Sequence, residues 1–506
     1  MGARSRPRGE ATPGAESGER ALASGLTSLA QKAFEAGKLD EAETLCLKAL
    51  RQSARSADAL NLLGRILFAT GRVDAATKMY ARALACEERN AALHSNLGLA
   101  LQALGREEEA LAEHRRAVEL APELAEAQSN LGALLETRGE SVEALERFER
   151  AVKLKPEDVH ARNNLGVAYM DRGDHGKAIE HLDCALAIDP EFAKARWNRA
   201  LAHLLEGEYA KGWVDFEARW QRPERPRAFP GPLWRGEPLE GRTILLHAEQ
   251  GFGDTIQFLR FVPQVTERGG RVLLDLQPAL KWLAASVAGV AELTATGEAL
   301  SSFDVQCPLM SLPLALGVTL DELPNRVPYL AVPAEAQRRV EQLGWSAERA
   351  RVGLVWSGNP RHQRDRFRSI PLQALESLLE LEGARFYSLQ VGPGAAQLDE
   401  WENSSEKIRD LRMRIASFAD TAALLERLDL VVTVDTAVTH LAGALGRPVW
   451  VLAAATPDWR WMRKRTDSPW YPTARIFRQA RLGDWGPVIM EVREALKAML
   501  ERGCAG

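Results

Sequence analysis

One carboxylate of the chain, Asp254, has the surroundings of a catalytic base. It closes the glycine-rich turn Glu249-Gln-Gly-Phe-Gly-Asp254, which follows a predicted buried strand and opens a predicted helix. A carboxylate at a helix start can remove a proton from a hydroxyl if its pKa rises, but it can also simply cap the helix. Glu249 in the same turn is an alternative base, whereas His247, on the preceding strand, reads more simply as a core residue.

A second group of polar residues, which follow later predicted strands, has the chemistry of a phosphate site. A helix N-terminus offers free N–H groups and a partial positive charge, and arginine side chains add full charges. The candidates are Ser357, Asn359, Arg366, Arg368, Asp435, Thr436 and His440. A further basic run, Arg460–Arg465, contains one tryptophan and follows another, and it reads either as a surface face or as a frame of the same cleft.

These residues need two parallel sheets to bring them together. The second half of the chain alternates short apolar runs with helical patterns, which indicates parallel sheets with crossover helices. Such sheets bind ligands at the C-terminal ends of their strands, here in a cleft between two α/β domains. The predicted strands are Thr243–Ala248, Arg271–Leu276, Arg351–Trp356, Ala384–Gln390, Leu430–Val434 and Val449–Ala453.

The first half of the chain is a helical repeat. Glycines recur every 34 residues, and alanines recur at two further positions of the same period. The glycines are Gly64, Gly98, Gly132 and Gly166. The pattern resembles the tetratricopeptide repeat, a helix–turn–helix unit in which small residues let the two helices approach closely. We predict about six units, an α-solenoid over residues 23–226. The last unit, about 193–226, is rich in aromatic residues, and we expect it to dock onto the second domain.

Asparagines recur at one phase of these repeats. They are Asn96, Asn130, Asn164 and Asn198. A carboxamide both donates to and accepts from a peptide backbone, so a ladder of them on the inner curve can hold an extended acceptor chain without reading its sequence. The alternative is that the amides cap or bridge neighbouring repeats. The ladder is similar to that of the O-linked N-acetylglucosamine transferase superhelix.

Four motifs of the second half resemble one enzyme family. The segments HAEQGFGD, VWSGN, DRFRSIPL and VDTAVTHLAGALGRPVWVL look like the heptosyltransferase-like branch of the GT-B glycosyltransferases, glycosyltransferase family 9, over about 240–500. The resemblance implies that Asp254 is the catalytic base and that Arg368 holds the donor phosphate. It further implies that Asp435, Thr436 and His440 bind a nucleotide-sugar donor and that the anomeric carbon is inverted. Gly443 and Ala444 sit where a small residue would allow a close approach.

The chain has no Asp-x-Asp triplet, so it lacks the usual metal–diphosphate signature of the other large glycosyltransferase fold. Arginines and a helix N-terminus can stabilise a departing phosphate without a metal. We therefore expect no metal and no cofactor beyond the nucleotide-sugar substrate.

Composition bounds the remaining possibilities. The chain has 506 residues, 46% of them apolar, and a net charge of −4, which argues against a disordered chain and against a general nucleic-acid binder. Five scattered cysteines and the lack of a secretory signal or membrane-spanning run fit a cytoplasmic protein. We predict four parts: a disordered tail (1–22), the tetratricopeptide superhelix (23–226), and an acceptor-side (227–335) and a donor-binding (336–506) GT-B half.

Together these features lead us to expect a cytoplasmic protein O-glycosyltransferase. The layout resembles bacterial glycosyltransferases fused to tetratricopeptide repeats, including flagellin glycosyltransferases. Such an enzyme would transfer a sugar to Ser or Thr of an acceptor protein, flagellin or another surface protein, held by the superhelix. Two alternatives stay open: an interaction scaffold with a degenerate transferase domain, and an enzyme acting on a lipid-linked or saccharide acceptor.

Overall fold

The computed structural model describes residues 13–221, 227, 229–345, 349–362, 365–402 and 404–503. The chain divides into two compact units, Met1–Ala195 and Arg196–Gly506. This division lies before the boundary predicted at residue 226, so most of the last repeat unit is part of the second compact unit. In the described part of the chain, no helix is both long enough and apolar enough to cross a membrane.

The first unit is a stack of helix pairs. Its helices are α1 (Pro13–Glu35), α2 (Leu39–Gln52), α3 (Ala57–Ala69), α4 (Val73–Leu84), α5 (Ala91–Ala103), α6 (Glu107–Leu120), α7 (Ala125–Thr137), α8 (Ser141–Leu154), α9 (Val159–Asp171) and α10 (His175–Ile188). Each odd-numbered helix packs against the helix that follows it, and each pair packs against the next pair. The tetratricopeptide solenoid predicted from the sequence is therefore confirmed. Helix α1 begins at Pro13, so the prediction of a disordered tail is wrong for residues 13–22; residues 1–12 lie outside the described residues.

The recurring glycines make room for a large side chain on the second helix of their own pair. A Cβ atom at Gly64 would lie 2.5 Å from the Tyr80 ring, and one at Gly98 would lie 2.7 Å from the His114 ring. The other two pairs are Gly132 with Phe148 and Gly166 with Leu182. A side chain larger than glycine would push the helices apart, which confirms the predicted role of the small residues.

The second unit contains two parallel sheets. Its strands are β1 (Thr243–His247), β2 (Arg271–Leu276), β3 (Val290–Ala295), β4 (Val305–Pro308), β5 (Ala350–Val355), β6 (Ala384–Ser388), β7 (Ile408–Asp410), β8 (Leu430–Val434), β9 (Val449–Ala453) and β10 (Ala474–Arg478). One sheet has the order β3-β2-β1-β4 and the other β10-β9-β8-β5-β6-β7, with parallel pairings. The six predicted strands are confirmed as β1, β2, β5, β6, β8 and β9, and the architecture is that of a GT-B-like fold.

Helices cover the sheets, and two of them place the residues of interest. The helices are α11 (Ala193–Glu206), α12 (Tyr209–Phe216), α13 (Phe252–Phe258), α14 (Val262–Glu267), α15 (Lys281–Ala284), α16 (Leu312–Leu316), α17 (Ala334–Glu341), α18 (Asp365–Arg368), α19 (Glu376–Leu379), α20 (Gln397–Glu400), α21 (Ser404–Lys407), α22 (Phe418–Glu426), α23 (Ala437–Ala444) and α24 (Gly486–Gly503). Helix α13 follows β1 and α23 follows β8, so each begins at the C-terminal edge of its sheet. The two helices pack against each other and join the sheets there.

Aromatic residues of the last repeat unit pack inside the second compact unit. The Tyr209 and Trp213 rings lie 6.3 and 5.3 Å from the Trp459 ring, measured between centroids. The Trp470 indole N–H donates to the Tyr209 hydroxyl at 2.9 Å. The docking of this unit, expected from its aromatic content, is therefore confirmed.

Candidate active site

Asp254 lies in the first turn of α13, directly after the turn that leaves β1. Its Oδ2 accepts a hydrogen bond from the Gly251 backbone N–H at 2.9 Å, so the carboxylate caps its own helix. Burial raises the pKa of Asp254, and the cation of Arg460 opposes this shift. The Asp254 carboxylate thus caps its helix and also has a raised pKa. The geometry is therefore compatible with a role as helix cap and with a role as catalytic base.

Arg460 connects Asp254 to the second sheet. This residue follows β9, is only 7% exposed, and stacks over the Trp459 ring at 4.3 Å. Its Nη2 donates to Asp254 Oδ1, its Nε donates to Gln257 Oε1, and its Nη1 donates to Asp458 Oδ1 at 2.9 Å. Because all three nitrogens of the Arg460 guanidinium donate hydrogen bonds, this side chain fixes the positions of the Asp254 and Asp458 carboxylates.

His440 lies in α23, on the other side of the contact between the two helices. A Cβ atom at Gly253 would lie 2.7 Å from the His440 ring, so only a glycine allows α13 to approach this closely. The His440 Nδ1 lies 2.9 Å from the Tyr471 hydroxyl, and the ring stacks against Trp461. Burial, with the cations of Arg460 and Arg260, holds the pKa of His440 well below its ordinary value, so the ring is neutral near pH 7.

Two small residues set the geometry of α23. Thr436 is the residue before the helix, and its backbone N–H donates to Thr439 Oγ1 at 3.2 Å. A Cβ atom at Gly443 would lie 2.3 Å from the Tyr471 ring, so glycine lets this ring reach His440. The close approach at Gly443 is thus made by the Tyr471 ring.

Asp435 directly follows β8, and its Oδ1 lies 4.0 Å from His440 Nε2. Burial and the charge of Asp458 raise the pKa of Asp435 to about 6. The cations of Arg368 and Arg460 lower it. The carboxylate therefore lies within the electrostatic reach of two arginines, one of them predicted from the sequence.

The remaining predicted phosphate-site residues follow β5: Ser357 and Asn359 lie in the loop, and Arg366 and Arg368 lie in α18. The Ser357 backbone N–H donates to a glutamine side chain at 2.9 Å, and the Asn359 side-chain oxygen accepts from the backbone two residues later at 3.0 Å. The Arg366 guanidinium lies 4.5 Å from the ring of the next residue. A Cβ atom at Gly358 would lie 2.7 Å from Arg368, so the loop closes on that guanidinium. Residues 363–364 of this loop lie outside the described residues.

Three of the ladder asparagines bridge neighbouring repeats. The Asn96 Nδ2 donates to Asn61 Oδ1 at 2.9 Å. The Asn130 Nδ2 donates to Ser95 Oγ at 2.9 Å, and the equivalent bond from Asn164 to Ser129 measures 3.4 Å. These three asparagines therefore bridge neighbouring repeats, which is the alternative to peptide binding, and the bridge uses the amide nitrogen of each side chain. The fourth asparagine, Asn198, lies in the second compact unit.

The sequence pattern does not distinguish Arg460 from the other residues of the basic run Arg460–Arg465. The basic run in which it stands does not act as one surface face, because Arg463 reaches Glu206 at 3.2 Å and Arg465 pairs with Asp467 at 2.6 Å. The available signal was the pair of tryptophans on either side of Arg460. A charge placed between two buried aromatic rings is itself buried and needs buried partners.

Family models match both parts of the chain. Tetratricopeptide-repeat models match residues 33–103, 88–157, 130–191 and 170–228. The model described as glycosyltransferase family 9 (heptosyltransferase) matches residues 401–483, which include Asp435, His440 and Arg460. Asp254 and Arg368 lie before the matched residues.

Known proteins are similar to parts of the chain. Protein FlbA of Caulobacter vibrioides is 27% identical over 319 residues, which are 57% of this chain and 52% of that protein. The chain thus spans about half the length of this curated relative. A crystal structure of YrrB, described as a TPR protein with an unusual peptide-binding site, is 29% identical with a TM-score of 0.27 and covers 34% of this chain and 88% of its own. A structure of Pseudomonas aeruginosa PilF is 20% identical with a TM-score of 0.36 and covers 40% of this chain and 93% of its own.

The family matches agree with the architecture built from the residues. The chain carries tetratricopeptide repeats followed by two parallel sheets in a GT-B-like arrangement, and residues 401–483 of this second part match the glycosyltransferase family 9 model.

Proposed function

We propose that the protein is a glycosyltransferase that moves a sugar from a nucleotide-sugar donor to a Ser or Thr hydroxyl of an acceptor protein held by the repeats. The observation that carries this proposal is the contact between α13 and α23. It brings Asp254, a carboxylate with a raised pKa, next to the group formed by Asp435, His440 and Arg460. An acid–base group beside cations and a helix N-terminus is the combination that glycosyl transfer from a phosphate needs.

The donor phosphates are proposed to bind at the start of α23. Its free N–H groups carry partial positive charge, and Arg368 and Arg460 both act on Asp435 at the same place. Positive charge supplied in this way stabilises the departing phosphate, so the proposed transfer needs no metal. His440 is neutral and would contribute a hydrogen bond or a packing surface rather than a charge. Ser357 and Asn359 in the loop after β5, and Arg366 in α18, are proposed as further donor contacts.

Asp254 is proposed to act as the base. It would take the proton of the acceptor hydroxyl while the hydroxyl oxygen bonds to the anomeric carbon and the bond from that carbon to the donor phosphate breaks. The phosphate leaves with the electron pair, and the protonated carboxyl later returns its proton to water. One displacement of this kind inverts the anomeric carbon, as the family resemblance implies.

The ladder asparagines are proposed to contact the acceptor through their carbonyl oxygens. Bridging between repeats uses Nδ2, which leaves Oδ1 of Asn96 and Asn130 for the N–H groups of an extended chain. Flagellin and other surface proteins are the acceptors that the resemblance suggests. We place the reaction in the cytoplasm, which the scattered free cysteines fit.

A stabilisation screen with nucleotide sugars tests the donor part of this proposal. The full chain is heated with UDP-, GDP-, ADP-, dTDP- and CMP-linked sugars, and the melting temperature of the second unit is followed. Ligand binding stabilises a fold by RT ln(1 + [L]/Kd), so at a hundredfold excess over Kd a true donor adds about 2.7 kcal/mol. One donor class should stand apart from the others.

Arg368→Ala tests the site in that screen, and Arg385→Ala, which removes a half-buried arginine of β6, is the matched control. The shift should shrink in the first and stay in the second. Equal, small shifts for every nucleotide in the parent chain would contradict a donor site and favour the scaffold alternative. If the protein transferred sugar from the donor to a saccharide or lipid-linked acceptor, but never to a protein, only the proposed class of acceptor would be wrong.

A further inference from the structure

A buried ion pair joins the last repeat unit to the turn before Asp254. Arg219 lies in the short helical turn Glu217–Gln221 that continues α12, and it is 2% exposed. Its Nε and Nη2 donate to Glu249 Oε1 at 3.1 and 2.9 Å, and the Glu249 side chain has no exposed surface. Both charges have left water, so each depends on the other for stabilisation.

Arg219 also holds two other segments. Its Nη1 donates to the Phe216 carbonyl at 3.2 Å, and its Nη2 donates to Ser311 Oγ at 2.6 Å. Glu217 accepts from Arg219 and from the Ser311 hydroxyl, which lies 2.9 Å from Glu217 Oε1. One guanidinium therefore connects α12, the turn after β1 and the segment after β4.

The same repeat unit supports the residue on the other side of Asp254. The rings of Trp213 and Phe216 lie 5.3 and 6.2 Å from the Trp459 ring. Trp459 in turn lies under the guanidinium of Arg460, which contacts Asp254. The last repeat unit thus holds the Asp254 side of the Asp254–Arg460 contact through an ion pair and the Arg460 side through edge-to-face contacts between aromatic rings.

We propose that Arg219 and Glu249 are positioning residues for Asp254, so that the last repeat unit is a working part of the transfer site. This inference rests on the proposed function of Asp254. Glu249 lies two residues before Gly251, whose backbone N–H orients the Asp254 carboxylate at 2.9 Å. A shift of Glu249 therefore moves the group that orients Asp254. Burial raises the pKa of Glu249 to about 7, and the nearby carboxylate of Asp254 adds to this shift.

Hydrogen exchange followed by mass spectrometry tests the anchoring without any substrate. Arg219→Lys and Glu249→Gln keep the size of each side chain and are made in the full chain. Amides of residues 248–258 should exchange severalfold faster in both variants. The matched control is Arg351→Lys, which weakens a pair between Arg351 and Asp429 in the other sheet and should leave these amides unchanged.

Kinetics test whether the anchoring matters for transfer. With the donor found by the stabilisation screen, both variants should lose about ten- to hundredfold in kcat with little change in donor KM, because misplacing a reacting group is costly. A purely structural role for the pair would lower the melting temperature of both variants and leave kcat of the folded enzyme near that of the parent.

The two experiments separate failure of this inference from failure of the proposed function. Unchanged exchange at residues 248–258 in both variants overturns the positioning role, whatever the turnover. A kcat equal to that of the parent in both folded variants overturns it as well. Faster exchange in these variants, together with full turnover by Asp254→Asn, would instead leave the anchoring intact and remove Asp254 as the base.

Discussion

At the scale of single residues, the Asp254 carboxylate is held from two sides. The Gly251 N–H binds one oxygen and Arg460 binds the other, so the carboxylate has a fixed orientation. Burial favours its protonated form and Arg460 favours its charged form. A desolvated carboxylate with a raised pKa, held in place by an arginine, can accept a proton when substrate is present, which is the property that the proposed transfer needs.

Replacing Asp254 by asparagine removes the base and keeps the shape and one capping oxygen. We expect turnover to fall by about a hundredfold or more, with donor affinity and melting temperature nearly unchanged. Steady-state kinetics and calorimetry measure these quantities. Asp458→Asn is the matched control, because it removes a carboxylate from the same guanidinium and leaves Asp254 in place. A loss of turnover as large in the control as in Asp254→Asn would assign the effect to Arg460 rather than to the base.

The donor site makes a separate prediction. Arg368→Ala should weaken donor binding by about ten- to hundredfold, since a hydrogen bond to a charged group contributes about 1.5–3 kcal/mol. His440→Ala should also weaken it, through loss of a neutral contact. Because the pKa of His440 is far below its ordinary value, the His440 contribution should not change between about pH 6.5 and 8. Calorimetry with the donor measures both effects; unchanged affinity in both variants would move the phosphates elsewhere.

At the scale of elements, one helix pair of the solenoid carries an unusual core residue. His114 in α6 is completely buried against Gly98, at the place that Tyr80 and Phe148 hold in neighbouring pairs. Neither of its ring nitrogens has a hydrogen-bond partner among the described residues. Burial lowers the pKa of His114 to about 4, so the folded chain holds it neutral.

His114 should make the repeats sensitive to acid. The unfolded chain binds this proton near pH 6.5 and the folded chain only near pH 4, so stability falls as the pH drops between these values, by up to about 3 kcal/mol. His114→Phe should melt higher than the parent at pH 5 and lose less stability over this interval. Thermal melts followed by circular dichroism test this, with the exposed His160→Phe as control. Parallel pH curves for the parent and His114→Phe would contradict it.

The sequence pattern predicts the helices and strands that have strong local signals, but it does not predict contacts between residues that lie far apart in the chain. The glycine turn, β1 and the start of α13 follow from a short apolar run and local turn chemistry, as do β8 and α23. Strand β7 has three residues and β3 is partly exposed, so neither has a clear apolar period. The contact of Arg460 with Asp254 joins residues 206 positions apart, and no local rule encodes it.

At the scale of the whole molecule, we propose that the repeats and the second compact unit act on the same acceptor chain. The quadruple variant with alanine at Asn96, Asn130, Asn164 and Asn198 tests this. Each amide contributes about 0.5–1.5 kcal/mol, so loss of one should be tolerated and loss of all four should cost several kcal/mol of acceptor binding. Donor hydrolysis without acceptor should stay at the parent rate. Mass spectrometry of a flagellin acceptor measures transfer.

Bridging between repeats needs its own control, because the same amides support the solenoid. Ser95→Ala with Ser129→Ala removes the bridging partners of Asn130 and Asn164 and keeps both amides. If the ladder binds the acceptor, this double variant should keep glycosylation even where its melting temperature falls. Equal loss of transfer in the serine and asparagine variants, with equal loss of helicity, would give the asparagines a bridging role alone.

The central claim, that this chain transfers a sugar from a nucleotide with Asp254 as base, is tested most directly by nucleotide release. The full chain and Asp254→Asn are incubated with each nucleotide sugar of the panel and a flagellin acceptor, and the freed nucleotide is followed by phosphorus NMR. We predict that the parent consumes one donor class and that the variant consumes it about a hundredfold more slowly. Release of no nucleotide from any donor, or equal release by both proteins, would contradict the claim.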